Sequence, residues 1–210
     1  MRIIAGRFRR RRLASAPGNT TRPLTDRVKE RLFQLLGPLE GERILDVFAG
    51  TGTIGLEALS RGAAHAVFVE RDHKAFELLC DNVDALGIAD ETFCWRVDVL
   101  RCSFRPKGRE ELLPYDRIFF DPPYAIAHQI KSGTPLFKAL ERLGRDEIVS
   151  ARYELVIRVP LRQEIDFPGV WQLHERLMMG GMAIYRLRRP SSGDDENAVV
   201  DDRPAIWEEE

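Results

Sequence analysis

The stretch Ile44-Leu45-Asp46-Val47-Phe48-Ala49-Gly50-Thr51-Gly52 constrains the fold of this 210-residue chain more than any other. Its apolar start reads as a buried strand, and glycines 50 and 52 make a tight turn that opens a helix over 53–61, stopped at Gly62. A strand that feeds a helix this directly is the first half of a βαβ unit. Such units build parallel sheets covered by helices on both faces.

The rest of the chain repeats the alternation. Strands are expected at 66–70, near 92–97, at 117–120 and at 154–159. A helix capped by Thr25 or Asp26 places Val28, Leu32, Leu35 and Leu36 on one face, and Gly37-Pro38 end it. A second begins at Asp72, buries Phe76, Leu79, Cys80 and Val83, and stops at Gly87. A third centres on Leu136–Leu143. Segments 171–178 and 182–188, separated by Gly180-Gly181, read as a closing hairpin. The expected architecture is α/β and Rossmann-like: a mostly parallel seven-stranded sheet with an antiparallel C-terminal hairpin. Arg2 to Arg9, broken by Gly6, reads as a β-hairpin arm. The expected divisions are a basic arm over 1–24, one α/β domain over 25–189 and a disordered acidic tail over 190–210.

The glycine turn can bind an anion at the start of its helix, where free N–H groups point outward. Gly50-Thr51-Gly52-Thr53-Ile54-Gly55 also satisfies the dinucleotide G-x-G-x-x-G pattern, so the turn alone does not choose a cofactor. Two details favour S-adenosylmethionine (AdoMet). Asp46 precedes Gly50 by four residues, where it can face the cationic amino-acid end of AdoMet. Asp121-Pro122-Pro123-Tyr124, directly after an apolar strand, forms a stiff polar ledge beside a flat ring, suited to a planar amine and without a role in hydride transfer. Glu70, 20 residues after Gly50, can accept from both ribose hydroxyls, and Asp98 from an adenine amino group.

These segments, with Arg2-Ile-Ile-Ala-Gly6, Thr21-Arg22-Pro23, Thr25 to Glu30, Phe33 and Gly55 to Ala63, resemble the RsmD family over residues 1 to about 188. That family methylates the exocyclic N2 of a guanine in bacterial 16S ribosomal RNA. The resemblance implies that Asp46, Phe48, Gly50, Gly52, Glu70 and Asp98 line the AdoMet pocket and that Arg22 and Pro23 sit near the cofactor. It implies that Asp121, Pro122 and Tyr124 hold the base. Asp121 and the Pro122 carbonyl would accept the two amine protons and aim the lone pair, and Tyr124 would stack on a base taken out of the RNA stack. The chain departs from the family pattern at Thr51, Leu24, the long polar segment 101–114 and the acidic tail.

Charge distribution points to the same partner. Residues 1–31 carry ten Arg or Lys against two acids, and residues 191–210 eight acids against one Arg. Arg7, Arg9, Arg10, Arg11 and Arg12 form a phosphate-binding surface that suits nucleic acid, and the resemblance implies small-subunit rRNA or an assembling subunit as that partner. No apolar run spans a membrane, and no secretory leader is visible. Three cysteines without C-x-x-C suggest free thiols in a reducing, cytoplasmic setting. The four histidines are scattered and no metal is expected, although His128, close after the ledge, merits a test. The competing readings are an AdoMet-dependent adenine-N6 or cytosine-N4 DNA methyltransferase, a nicotinamide oxidoreductase, and a non-catalytic RNA-binding protein.

Overall fold

The computed structural model describes residues 1–15 and 25–190, with the backbone of 205 and 206. Arg22, Pro23 and nearly all of the acidic tail lie outside the described residues. In chain order the elements are α1 (Asp26–Leu36), β1 (Arg43–Val47), α2 (Thr53–Ser60), β2 (His65–Glu70), α3 (His73–Leu86) and β3 (Thr92–Arg96). Then come β4 (Tyr115–Phe120), α4 (Tyr124–Ala127), α5 (Pro135–Leu143), β5 (Val149–Pro160), β6 (Gln172–Met179), β7 (Met182–Arg188) and β8 (Ala205–Ile206).

The strands form one sheet in the order β3-β2-β1-β4-β5-β7-β6-β8. Strands β1 to β5 pair in parallel, and β7 runs antiparallel to both neighbours. Seven strands match the expected sheet, and β8 adds two residues to its edge, pairing in parallel with β6. The chain moves outward from β1 to β3 and then returns to β4 on the other side of β1. The crevice between β1 and β4 is thus the topological switch point, where open α/β sheets bind ligands.

Each face of the sheet carries its own apolar layer. Leu45, Val67, Ile118, Leu155 and Tyr115 pack with α5 and Phe104 on one face. Ile44, Phe68, Phe119 and Val156 pack with α1, α2 and Leu79 of α3 on the other. The alternation along each strand sorts these residues, apart from Tyr115, which precedes a register irregularity in β4. Helix ends follow local chemistry: Thr25, Asp72 and Thr134 accept backbone N–H bonds as N-caps of α1, α3 and α5. Gly180 and Gly181, at φ 56° and 77°, make the β6–β7 turn.

The basic N-terminal segment closes through a single antiparallel bridge, Arg2 to Arg12, rather than a two-strand ladder. It is sewn onto α2. Ile4 and Ala5 N–H donate to the Glu57 carboxylate, Phe8 N–H to Ser60 Oγ and Arg7 N–H to Ser60 O. Glu57 and Lys29 are buried together, 3.3 Å apart, and Lys29 Nζ also donates to Arg2 O. Ile3 and Leu13 enter the core. Gly6 is obligatory, since a Cβ there would lie 1.6 Å from Ser60 O.

Candidate active site

Three strand ends build the site. At β1, Asp46 is buried, 1% exposed, on the α2 face. Gly55 N–H, in the first turn of α2, donates to its Oδ2 at 2.9 Å. Among the described residues no cation bonds to Asp46. Burial therefore dominates, and its carboxyl is pushed up to about 7, with Asp121 and Glu70 adding to the rise. Gly55 has to be glycine: a Cβ would meet the Phe68 ring at 2.4 Å and crowd Asp46.

Between Asp46 and Gly55 runs the glycine turn. Phe48 takes φ 64°, rare for a residue with a Cβ, and its ring meets Phe120 edge-on at 5.3 Å. Gly50 and Gly52 take φ 57° and 81°. A Cβ on Gly50 would meet no atom within 4 Å, so open space lies against that backbone. At β2, Glu70 accepts from Gly50 N–H at 2.9 Å and Asp72 N–H at 2.7 Å. This fixes its carboxylate beside the turn. From α3, the buried Asn82 donates to Thr51 O at 3.0 Å and exchanges two bonds with Ala14. It ties the turn to the N-terminal segment.

At β4, Asp121 N–H donates to Val47 O, so the ledge begins against the end of β1. Pro122 is buried, and Tyr124 opens the single-turn helix α4. The Asp121 carboxylate is held by Arg158 of β5. Nε donates to Oδ1 at 2.7 Å and Nη2 to Oδ2 at 2.5 Å. The guanidinium carbon lies 5.9 Å from the centre of the Tyr124 ring. Attraction to Asp121 raises Arg158 above its ordinary value, against the opposing effect of burial.

The structure therefore brings Asp46, Phe48, Gly50, Gly52, Glu70, Asp121, Pro122 and Tyr124 to adjoining strand ends. Asp98 stands two residues past β3, paired with Arg71 at 3.2 Å and bonded to Leu100 N–H. His128 is exposed at the end of α4. Within the arginine segment Arg12 comes two residues before Ala14, which Asn82 ties to the turn, but the tip lies elsewhere, packed on Ser60 at the far end of α2 from Gly52, about 12 Å along a helix of that length. There Arg7 pairs with Glu91 and Arg11 donates to Ala85 O, while Arg9, Arg10 and Arg12 are exposed.

Sequence reasoning missed Arg158, Asn82 and Glu57. Arg158 left a signal, a lone charge in the apolar run Leu155-Val-Ile-Arg158-Val. Glu57 left the same kind of signal, the lone charge in Ile54-Gly-Leu-Glu57-Ala-Leu59, whereas Asn82 sits among ordinary helix polar residues and left none.

Fold and site together define a methyltransferase of the Rossmann-like, AdoMet-dependent class. The chain belongs to the family described as Conserved hypothetical protein 95, whose model matches residues 1–186 and which is the RsmD family. "Ribosomal RNA small subunit methyltransferase D" of Escherichia coli (strain K12) is 31% identical over 198 residues, covering 93% of each chain. Its namesake from Buchnera aphidicola subsp. Acyrthosiphon pisum is 30% identical, covering 87% of this chain and 90% of that one. The solved structure of yhhF from E. coli superposes with a TM-score of 0.71 at 30% identity, covering 90% of this chain and 97% of that one.

Proposed function

We propose that the protein transfers a methyl group from AdoMet to the exocyclic N2 amine of a guanine in 16S rRNA. The observation that carries this reading is the abutment of two unlike half-sites at the β1/β4 switch point. One is a glycine turn with a buried carboxylate that no cation among the described residues bonds. The other is the Asp121–Tyr124 ledge. Relatives named small-subunit rRNA methyltransferases over nearly their whole length supply the substrate class.

The residues suit AdoMet. Asp46 offers a carboxylate that no cation among the described residues bonds, with only the longer-range attraction of Arg158 opposing its burial, and AdoMet carries a net positive charge. The space against Gly50 admits a ligand to backbone N–H groups, and Glu70, fixed at the turn, faces the place of a ribose. When bound, AdoMet supplies an electrophilic methyl on a sulfonium.

The chain does the remaining work by orientation. A guanine N2 lone pair is delocalised into the ring and attacks poorly. Asp121 Oδ and the Pro122 carbonyl accept its two N–H bonds, which restores lone-pair density on nitrogen and directs it across the crevice towards β1. The Tyr124 ring gives the extruded base a stacking face. The exposed Arg9 and Arg10 serve phosphates some distance away and Arg12 serves one nearer the turn, so the RNA has to be a folded object that reaches along α2.

The test is transfer of labelled methyl from AdoMet to small-subunit particles lacking the modification, followed by digestion to nucleosides. Label in N2-methylguanosine is expected. Label in adenosine or cytidine, or none in either naked rRNA or particles, overturns the proposal.

A further inference from the structure

Arg158 lies two residues before the end of β5, 9% exposed, with Ile157 opposite Phe120 of β4 and Arg158 itself opposite Ile184 of β7. A strand interior between two apolar layers is a costly place for a guanidinium. As a stabilising device the pair with Asp121 is a poor choice, since buried ion pairs often contribute no more than apolar residues of the same volume. Its geometry is what an apolar pair could not supply. The two bonds, Nε to Oδ1 and Nη2 to Oδ2, fix both oxygens and hence the plane of the carboxylate. An aspartate without such a fork turns freely about its last torsion. The same guanidinium lies 5.9 Å from the Tyr124 ring centre and has Met182 Sδ behind it at 3.9 Å from Nη1. One side chain from β5 thus touches both ends of a ledge whose backbone comes from β4.

We infer that Arg158 is a positioning residue for methyl transfer. It sets the plane of the Asp121 carboxylate relative to the Tyr124 ring, so that an amine bonded to the outer lone pairs of Asp121 lies in the plane of a base stacked on Tyr124. The inference rests on the methyl-transfer reading above. Bidentate contact occupies one lone pair on each oxygen and leaves the others for the substrate. Lysine keeps the charge but loses the fork.

The experiment compares wild type, Arg158→Gln, Arg158→Lys, Asp121→Asn and the double variant Asp121→Asn/Arg158→Gln. Each full-length protein is assayed for methyl transfer to small-subunit particles under saturating AdoMet, and AdoMet affinity is measured by calorimetry. Arg158→Gln should lower kcat about 100-fold with AdoMet affinity changed less than about threefold, and Arg158→Lys should recover about tenfold of that loss. Because Arg158 acts through Asp121, Arg158→Gln should cost less than about threefold more in the Asp121→Asn background. Near-wild-type kcat in Arg158→Gln, or losses that multiply in full in the double variant, would overturn the inference while leaving the methyl-transfer reading intact. If Arg158→Gln does not fold, Arg158→Lys and its double with Asp121→Asn decide by the same criterion. A wild-type protein inert on every RNA removes the reading and the role of Arg158 together.

Discussion

Asp46 and Asp121 stand at the ends of adjacent parallel strands, yet the protein treats them in opposite ways. Asp121 is locked by a guanidinium on both oxygens. Asp46 accepts one backbone N–H, has no bonded cation among the described residues, and has a carboxyl pushed up to about 7, chiefly by burial and despite the more distant Arg158. A carboxylate that must point in one direction is given its counter-ion by the fold. A carboxylate that must receive a cationic ligand is left without one, and the folded state bears the desolvation until the ligand arrives.

The largest effect that would break this comparison comes from Asp121→Asn. It should lower kcat by about 100-fold or more and leave AdoMet affinity within about threefold, since the side chain serves the target amine. Single-turnover methyl transfer with parallel calorimetry tests it, and equal losses in both would put Asp121 on the cofactor side of the crevice.

Asp46→Asn should do the reverse. AdoMet affinity should fall about 10- to 100-fold, and the ligand-free protein should become more stable. The sign follows from the raised folded-state value. The folded protein holds the proton more tightly than the unfolded chain, so ionised Asp46 destabilises the fold above pH 7, and the penalty fades as pH falls from about 7 towards 4. A rise of that size corresponds to at most about 4 kcal/mol. Asparagine can still accept from Gly55 N–H, so Tm at pH 8 should rise by several degrees. A fall in Tm would mean that the carboxylate already has a partner.

The same group sharpens the comparison through pH. AdoMet affinity of the wild type should decline as pH drops below about 7, by up to tenfold per unit, because Asp46 must release its proton to meet a cation. In Asp46→Asn the decline should flatten. Calorimetry at pH 6, 7 and 8 checks both.

Smaller effects belong to the turn and the arginine segment. Glu70→Ala frees Gly50 N–H and should weaken AdoMet about tenfold, with Gly50→Val, which fills the open space, no milder. Alanine at Arg9, Arg10 and Arg12 should leave AdoMet binding alone and lower the slope of log RNA affinity against log salt, by up to about one unit for each phosphate no longer neutralised. An unchanged slope would place RNA on another surface.

Much of this was legible in the sequence because it is local. The strand-turn-helix at Ile44–Gly62, the caps at Thr25 and Asp72, and the Gly180-Gly181 hairpin each depend on neighbours a few residues away. The ledge was visible for the same reason, though not the four-residue helix α4, which is too short to show a period. What escaped is non-local. Strand β5 begins at Val149, earlier than the expected 154, because Val149 pairs with Tyr115 across an irregularity in register that no spacing reveals. The polar-looking segment 101–114 buries Cys102, Phe104 and Leu112 against α5 and β4, with Arg142 donating to Cys102 O and to Val99 O just before it. Arg158 is oddly placed in its own strand, but its partner lies 37 residues away.

The stitched N-terminal segment also has a history in time. Its partners, Lys29, Glu57, Ser60, Asn82, Ala85 and Glu91, all come later in the chain. Translation at roughly 5–20 residues per second separates residue 13 from residue 91 by about 4–16 s. During that interval the cationic segment exists while part of the surface that holds it does not. It is made before the elements that hold it and can be fully fastened only when α3 and the start of β3 have followed.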